Sequence, residues 1–127
     1  MSTRAIIGVR NNQGGITGVW CWSDGYDIFN DLKRDFSSDA GIDYILNMGM
    51  FSTIFSKKEA EEFKSWRKEN GIEVDETEFF NYGNSVILQD KIYRDREAEH
   101  YKDLDEVLDQ DINVAYIYEN GKYEIYK

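Results

Sequence analysis

Residues 113 to 127 read NVAYIYENGKYEIYK, two runs rich in β-branched and aromatic side chains interrupted at Asn120-Gly121. Asn-Gly suits a two-residue type I′ turn, in which both central residues take positive φ and the backbone follows the twist of the flanking strands. This end of the chain is therefore expected to form a tight β-hairpin. The turn length also sets the register, placing Tyr118 opposite Tyr123 and Tyr116 opposite Ile125 on one face and Ile117 opposite Glu124 on the other.

A second hairpin is expected at the other end, where RAIIGVR (4–10) and ITGVWCW (16–22) flank Asn11-Asn12-Gln13-Gly14-Gly15. Strand alternation groups Ala5, Ile7 and Val9 on one face and leaves Ile6 and Gly8 with the two arginines on the other. In the second strand Ile16, Gly18, Trp20 and Trp22 lie together, opposite Thr17, Val19 and Cys21. Both faces carry apolar groups. Such a pair belongs near the middle of a covered sheet rather than on an exposed flap.

Helical spacing dominates between the hairpins. Asp27 is placed to cap a helix carrying Ile28, Phe29, Leu32 and Phe36, which stops near Ser37-Ser38. Asp39 starts a second helix with Ile42, Ile45 and Leu46, ended by Gly49, and Met50 to Phe55 follows as an apolar connector. Ser56 and Glu59 form a capping box for a third helix, with a Phe55–Ala60 staple across its start and Asn70-Gly71 at its end. Its apolar edge is only Ala60, Phe63 and Trp66, so it should lie on the surface. Phe79, Phe80 and Tyr82 precede a strand at Ser85 to Leu88, and Asp103 with Glu106 starts a short helix through Leu104, Val107 and Leu108. The resulting ββ-α-α-α-β-α-ββ order predicts an α+β domain spanning residues 1–127. Its antiparallel sheet would come from the N- and C-terminal hairpins, with three to four helices packed mainly on one face.

Composition narrows the functional classes. A chain of 127 residues with 41% hydrophobic side chains supports a single core without staples, and its one cysteine offers neither an internal disulfide nor a zinc-ligand spacing. No cofactor or metal is expected. The N-terminus lacks a basic leader, and no stretch approaches the roughly 20 apolar residues of a membrane helix, which points to a cytoplasmic protein with no membrane partner. Fifteen basic against 25 acidic residues give a formal charge of −10, which disfavours direct nucleic-acid binding and favours a basic partner. The oligomeric state is not legible.

Several segments together resemble one family: Ser2-Thr3-Arg4-Ala5-Ile6-Ile7-Gly8-Val9, the Asp24-Gly25-Tyr26 turn, Leu46 to Ile54 (LNMGMFSTI), Tyr93-Arg94-Asp95-Arg96, and Tyr116 to Tyr123. It is a family of small uncharacterised proteins of bacteriophages and other mobile elements. Members commonly carry His-Trp-Asp-Gly-Tyr-Pro where this chain has Trp22-Ser23-Asp24-Gly25-Tyr26-Asp27, and Arg-Asp-Arg-Gly-Glu where it has Arg94-Asp95-Arg96-Glu97. The resemblance implies context rather than chemistry: a phage-type protein acting in the cytoplasm of a bacterial host, against or around host machinery.

Candidate sites follow from these readings. Trp20 and Trp22 are expected to be core rings at a strand end, with Cys21 a small buried hydrophobe between them. Between Asp95 and Asp111 stand eight acidic residues against Arg96 and Lys102. Glu97, Glu99, Asp103, Asp105, Glu106 and Asp109, with Tyr93 and Tyr101 as anchoring rings, are the expected partner-binding surface. That surface would compete with nucleic acid for a basic groove on a host protein, as an inhibitor or anti-defence factor. Charge reversal at Asp103, Asp105 and Glu106 is expected to abolish binding and leave the fold intact. The alternative is a nucleotide-type small-molecule binder, with Arg94 and Arg96 on phosphates and Trp20 or Tyr26 stacked on a base. A small hydrolase using Ser2 as a freed N-terminal nucleophile ranks third. His100, the only histidine, has Glu97 and Glu99 nearby in sequence and is read as a solvated residue.

Overall fold

The computed structural model describes residues 3–127. Strands β1 (Ala5–Arg10) and β2 (Ile16–Cys21) form the N-terminal hairpin, and β7 (Val114–Glu119) and β8 (Lys122–Tyr126) form the C-terminal one. The latter has the register expected from its turn, with Tyr118 opposite Tyr123 and Ile117 opposite Glu124. Asn120 and Gly121 take φ values of 52° and 82°. The two hairpins join through β1 and β7, and that pair is parallel, with Ala5 beside Val114 and Val9 beside Tyr118. The sheet is thus mixed rather than purely antiparallel. A parallel neighbour needs a long crossover, which the intervening chain provides.

Three further strands were not expected from the sequence. β6 (Glu99–Tyr101) adds to the free edge of β2, giving the order β6-β2-β1-β7-β8. β3 (Thr53–Ser56) replaces the expected connector, and β4 (Phe79–Tyr82) pairs with β5 (Ser85–Leu88) across Gly83-Asn84, giving a second sheet ordered β3-β5-β4. The small sheet is seated on the end of β2. There the Trp22 N–H donates to the Phe51 carbonyl at 2.9 Å and the Phe51 N–H to the Trp20 carbonyl at 3.1 Å.

Helices α1 (Phe29–Asp35) and α2 (Asp39–Met48) cover the sheet face that carries Ala5, Ile7, Val19, Cys21 and Tyr116, burying Leu32, Ile42 and Ile45 together with Ile28 and Phe36. The short α4 (Leu104–Leu108) places Leu104 and Val107 on the opposite face, against Ile6, Ile16, Ala115 and Ile117. Both faces of the N-terminal hairpin are covered, as its alternation required. Helix α3 (Lys57–Glu69) packs on the small sheet, where Phe63 lies 5.7 Å from Phe55 and 6.3 Å from Phe79 between ring centroids. Its capping box is formed: the Ser56 hydroxyl accepts from the Glu59 N–H, and the Glu59 carboxylate accepts from the Ser56 N–H, both at 3.1 Å.

Two caps differ from expectation. Ser38, not Asp39, caps α2 by accepting from the Gly41 N–H at 3.0 Å. Helix α1 begins after Ile28 with no side-chain cap, because Asp27 belongs to the preceding turn and donates its N–H to the Asp24 carbonyl at 2.8 Å. That turn is pinned from two sides. The Gly25 N–H donates to the Thr3 carbonyl at 2.9 Å, and its carbonyl accepts from the buried Tyr116 hydroxyl at 2.6 Å. Tyr116→Phe should therefore lower stability by about 1–2 kcal/mol, since a shielded carbonyl loses its donor. Chemical denaturation checks this, and an unchanged midpoint would show that the hydroxyl does not hold the turn.

Candidate functional site

Strand β6 is where the acidic segment meets the fold. Its pairing with β2 sets Ile16 opposite Tyr101, Thr17 opposite His100 and Gly18 opposite Glu99. Tyr101 is only 5% exposed, packed with Trp20 and Val107. The Trp20 Nε1–H donates to the Tyr101 hydroxyl at 3.2 Å, and that hydroxyl donates onward to Glu99 Oε2 at 3.2 Å. Burial pushes the phenol up to about 12, so it remains a donor at neutral pH. The chain of bonds holds the Glu99 carboxylate at the sheet edge. Tyr101 accordingly supports the surface from beneath, which corrects its expected role as an exposed anchoring ring. His100 turns to the other side and bonds Thr17 Oγ1 at 2.8 Å.

Beside Glu99 a cleft of about 260 Å³ opens, with Trp20, Trp22 and Met50 as its apolar wall and Arg96 and Glu97 on its rim. Gln110, just beyond α4, closes the far side. Trp20 is half-buried at the margin of the core, packed against Tyr101 and Val107, and Trp22 lies one residue past the strand and is 37% exposed. The expectation that both rings are core is therefore corrected for Trp22. The Arg4 guanidinium sits 5.3 Å over the Trp22 ring, and the Tyr93 ring centroid lies 6.4 Å away. Trp22 and Tyr93 thus supply the aromatic contribution expected of Tyr101.

The carboxylates divide into three kinds. Asp111 pairs with Arg4 at 3.0 Å and is the only acidic residue between 95 and 111 in an ion pair among the described residues. Asp103 is committed to the fold, accepting from the Glu106 N–H at 2.9 Å as the cap of α4, and Glu106 is half-buried. Charge reversal at Asp103 would therefore disturb the helix as well as the surface, so the expected triple variant does not test the surface alone. Asp95, Glu97, Glu99, Asp105 and Asp109 are exposed and form no ion pair among the described residues.

The residues considered for a nucleotide do not share one place. Trp20 and Arg96 meet in the cleft. Arg94 instead donates to the Thr77 carbonyl at 3.0 Å, and Tyr26 stands near Asn113 with the Lys127 ammonium 5.7 Å from its ring. Arg94 is thus engaged by Thr77 and does not line the cleft that Arg96 lines. Ser2 lies outside the described residues.

Cys21 is fully buried, its thiol donating to the Ser23 carbonyl at 3.1 Å, and burial pushes it far above the ordinary thiol range. Such a thiol stays protonated and is a poor nucleophile. Among the described residues no three His, Cys, Asp or Glu side chains are grouped to hold one metal ion, and no helix is long and apolar enough to cross a membrane. No protein-family model, curated protein or solved structure matches this chain. The likeness to phage and mobile-element proteins rests on the quoted motifs alone.

Proposed function

We propose that the protein works by binding rather than by catalysis, as a small acidic phage-type factor in the cytoplasm of a bacterial host. Its edge from Glu97 to Asp109 docks on a basic surface of a host protein and inhibits or redirects it. The observation that carries this reading is the set of exposed carboxylates Glu97, Glu99, Asp105 and Asp109, none of which pairs with a cation among the described residues, beside a cleft walled by Trp22. Uncompensated like charges steer a basic partner toward this edge. An exposed tryptophan at its margin supplies the kind of anchor that dominates interface energetics. A basic surface of that kind is also one that nucleic acid would occupy, so occlusion of nucleic acid follows as the mechanism, consistent with an anti-defence role.

Competition tests it. Immobilised protein is incubated with a bacterial lysate cleared of nucleic acid, and retained proteins are challenged with duplex DNA. The expected result is displacement of the retained partner by DNA. Retention indifferent to DNA would reject occlusion of a nucleic-acid surface.

A further inference from the structure

The larger sheet ends in two edges of opposite character. One is β6, three residues long and carrying Glu99. The other is β8, five residues long, paired with β7 on one side and with no strand on the other among the described residues. Its pairing runs unbroken from Glu119 opposite Lys122 to Ala115 opposite Tyr126, so no bulge twists the edge away, and no proline interrupts it. None of its backbone groups bonds outside the hairpin among the described residues. A strand of this length presents an open row of N–H and C=O groups about 17 Å long.

Beside this edge a cleft of about 360 Å³ lies between α1 and the C-terminal hairpin, with Phe29 and Tyr123 as aromatic walls. Both rings are fixed in place. Phe29 stacks on Tyr116 with centroids 5.7 Å apart, and the Tyr123 hydroxyl donates to the Phe36 carbonyl at 2.7 Å. Ile125 shares the face of Tyr123 by alternation and is 41% exposed.

In a chain of formal charge −10, this flank is basic. Lys33 and Lys122 line the cleft, and Lys127 follows the strand with its ammonium 5.7 Å from the Tyr26 ring. None of the three forms an ion pair among the described residues. Glu124, the one carboxylate within β8, accepts from the Tyr126 hydroxyl and stands opposite Ile117, on the sheet face that α4 covers.

A second copy of this chain does not suit the edge. Two-fold antiparallel pairing of β8 with itself along its whole length has two registers: one sets Glu124 opposite Glu124, and the other sets Lys122 opposite Lys127. Like charges directly opposite destabilise such a pair. The unpaired lysines call for carboxylates instead.

We propose that β8 takes an extended acidic segment of a partner protein as an added strand, with an apolar side chain in the cleft against Phe29 and Tyr123 and carboxylates at Lys33, Lys122 and Lys127. In strand addition the main-chain hydrogen bonds supply affinity, and pockets for alternate side chains supply selection. This surface lies at the opposite end of the sheet from the acidic edge and does not depend on what that edge binds.

The probe is a blocked peptide of alternating glutamate and valine, matched to β8 in length and titrated into the full chain while amide hydrogen exchange is followed. One comparison peptide carries proline in place of each valine, which keeps the charge but cannot join a ladder, and another carries lysine in place of each glutamate. The expected result is saturable one-to-one binding of the glutamate–valine peptide with slowed exchange in residues 122 to 126. The proline peptide should bind about tenfold or more weakly, and the lysine peptide not at all. The double variant Lys33→Glu, Lys122→Glu should weaken binding by about tenfold or more. Its circular dichroism should be unchanged, since neither lysine pairs within the described chain. Reversing Glu97, Asp105 and Asp109 to lysine should leave the protection of β8 in place, which separates the two surfaces. No saturable binding, protection confined to other strands, equal binding of the proline peptide, or full affinity in the Lys33/Lys122 variant would overturn the assignment. Concentration-dependent dimerisation that protects residues 122 to 126 without peptide would also overturn it and give the edge to a second copy.

Discussion

Replacing Gly49 by alanine should destabilise the protein by about 2–4 kcal/mol and loosen the segment that carries Glu97. Gly49 ends α2 at φ 83° and ψ −158°, a backbone region that is essentially glycine's alone. A Cβ there would lie 2.5 Å from the Arg96 carbonyl oxygen and 3.3 Å from its carbonyl carbon. These are backbone atoms, and they cannot rotate aside. The same carbonyl accepts the Met50 N–H at 2.8 Å, the bond that ties the acidic segment to the end of α2. Buried Gln89 braces the loop from within, donating from Nε2 to the carbonyls of Met48 and Met50 at 2.8 and 2.9 Å. The loop therefore has little freedom to absorb the methyl group. Strain of order 1–3 kcal/mol from the backbone adds to a similar overlap cost. Denaturation midpoints measure the effect, and a change under about 0.5 kcal/mol, the range of ordinary surface substitutions, would mean that this joint is not rigid.

Reversing Glu97, Asp105 and Asp109 to lysine together should reduce partner affinity by on the order of a hundredfold or more while the fold persists. None of the three pairs with a cation within the described chain, and none provides a side-chain cap. Asp109 closes the C-terminal end of α4, where a lysine complements the helix dipole, and Asp105 in the first turn loses only tenths of a kcal/mol when reversed. Asp103 is left intact because removing its cap costs about 1 kcal/mol and would blur the result. Circular dichroism and the thermal midpoint of the variant establish that the loss lies in binding.

The parts of this architecture legible in the sequence are those fixed by neighbours along the chain. Asn120-Gly121 dictates its own turn and register, and Ser56 with Glu59 dictates the start of α3, so both appear where local chemistry puts them. The apolar groups on both faces of β1 and β2 likewise required cover on two sides, and α2 and α4 supply it. What the sequence hid is non-local. Glu99-His100-Tyr101 has little strand character in isolation and becomes a strand because the edge of β2 accepts it. The parallel pairing of β1 with β7 leaves no mark on either segment. Gly83-Asn84 is a turn signal that, with the aromatic run Phe79 to Tyr82 before it, marks the β4–β5 hairpin.

The sites follow the same division. The excess of acidic residues was visible as a run, but which carboxylates are free depended on α4, since Asp103 is consumed by its cap and Asp111 by Arg4. Alternation groups Trp22 with Trp20 and so predicts a core ring, whereas its exposure follows from standing past the last residue paired with β1.

We propose the edge from Glu97 to Asp109 as a docking surface whose exposed carboxylates pair with no cation among the described residues. Its most direct measurement is retention of host proteins from a bacterial lysate on immobilised wild type and on the Glu97/Asp105/Asp109 lysine variant, across a series of salt concentrations. A basic protein held by the wild type at low salt, released as salt rises and missing from the variant is the predicted outcome. Retention that survives both high salt and charge reversal would contradict it.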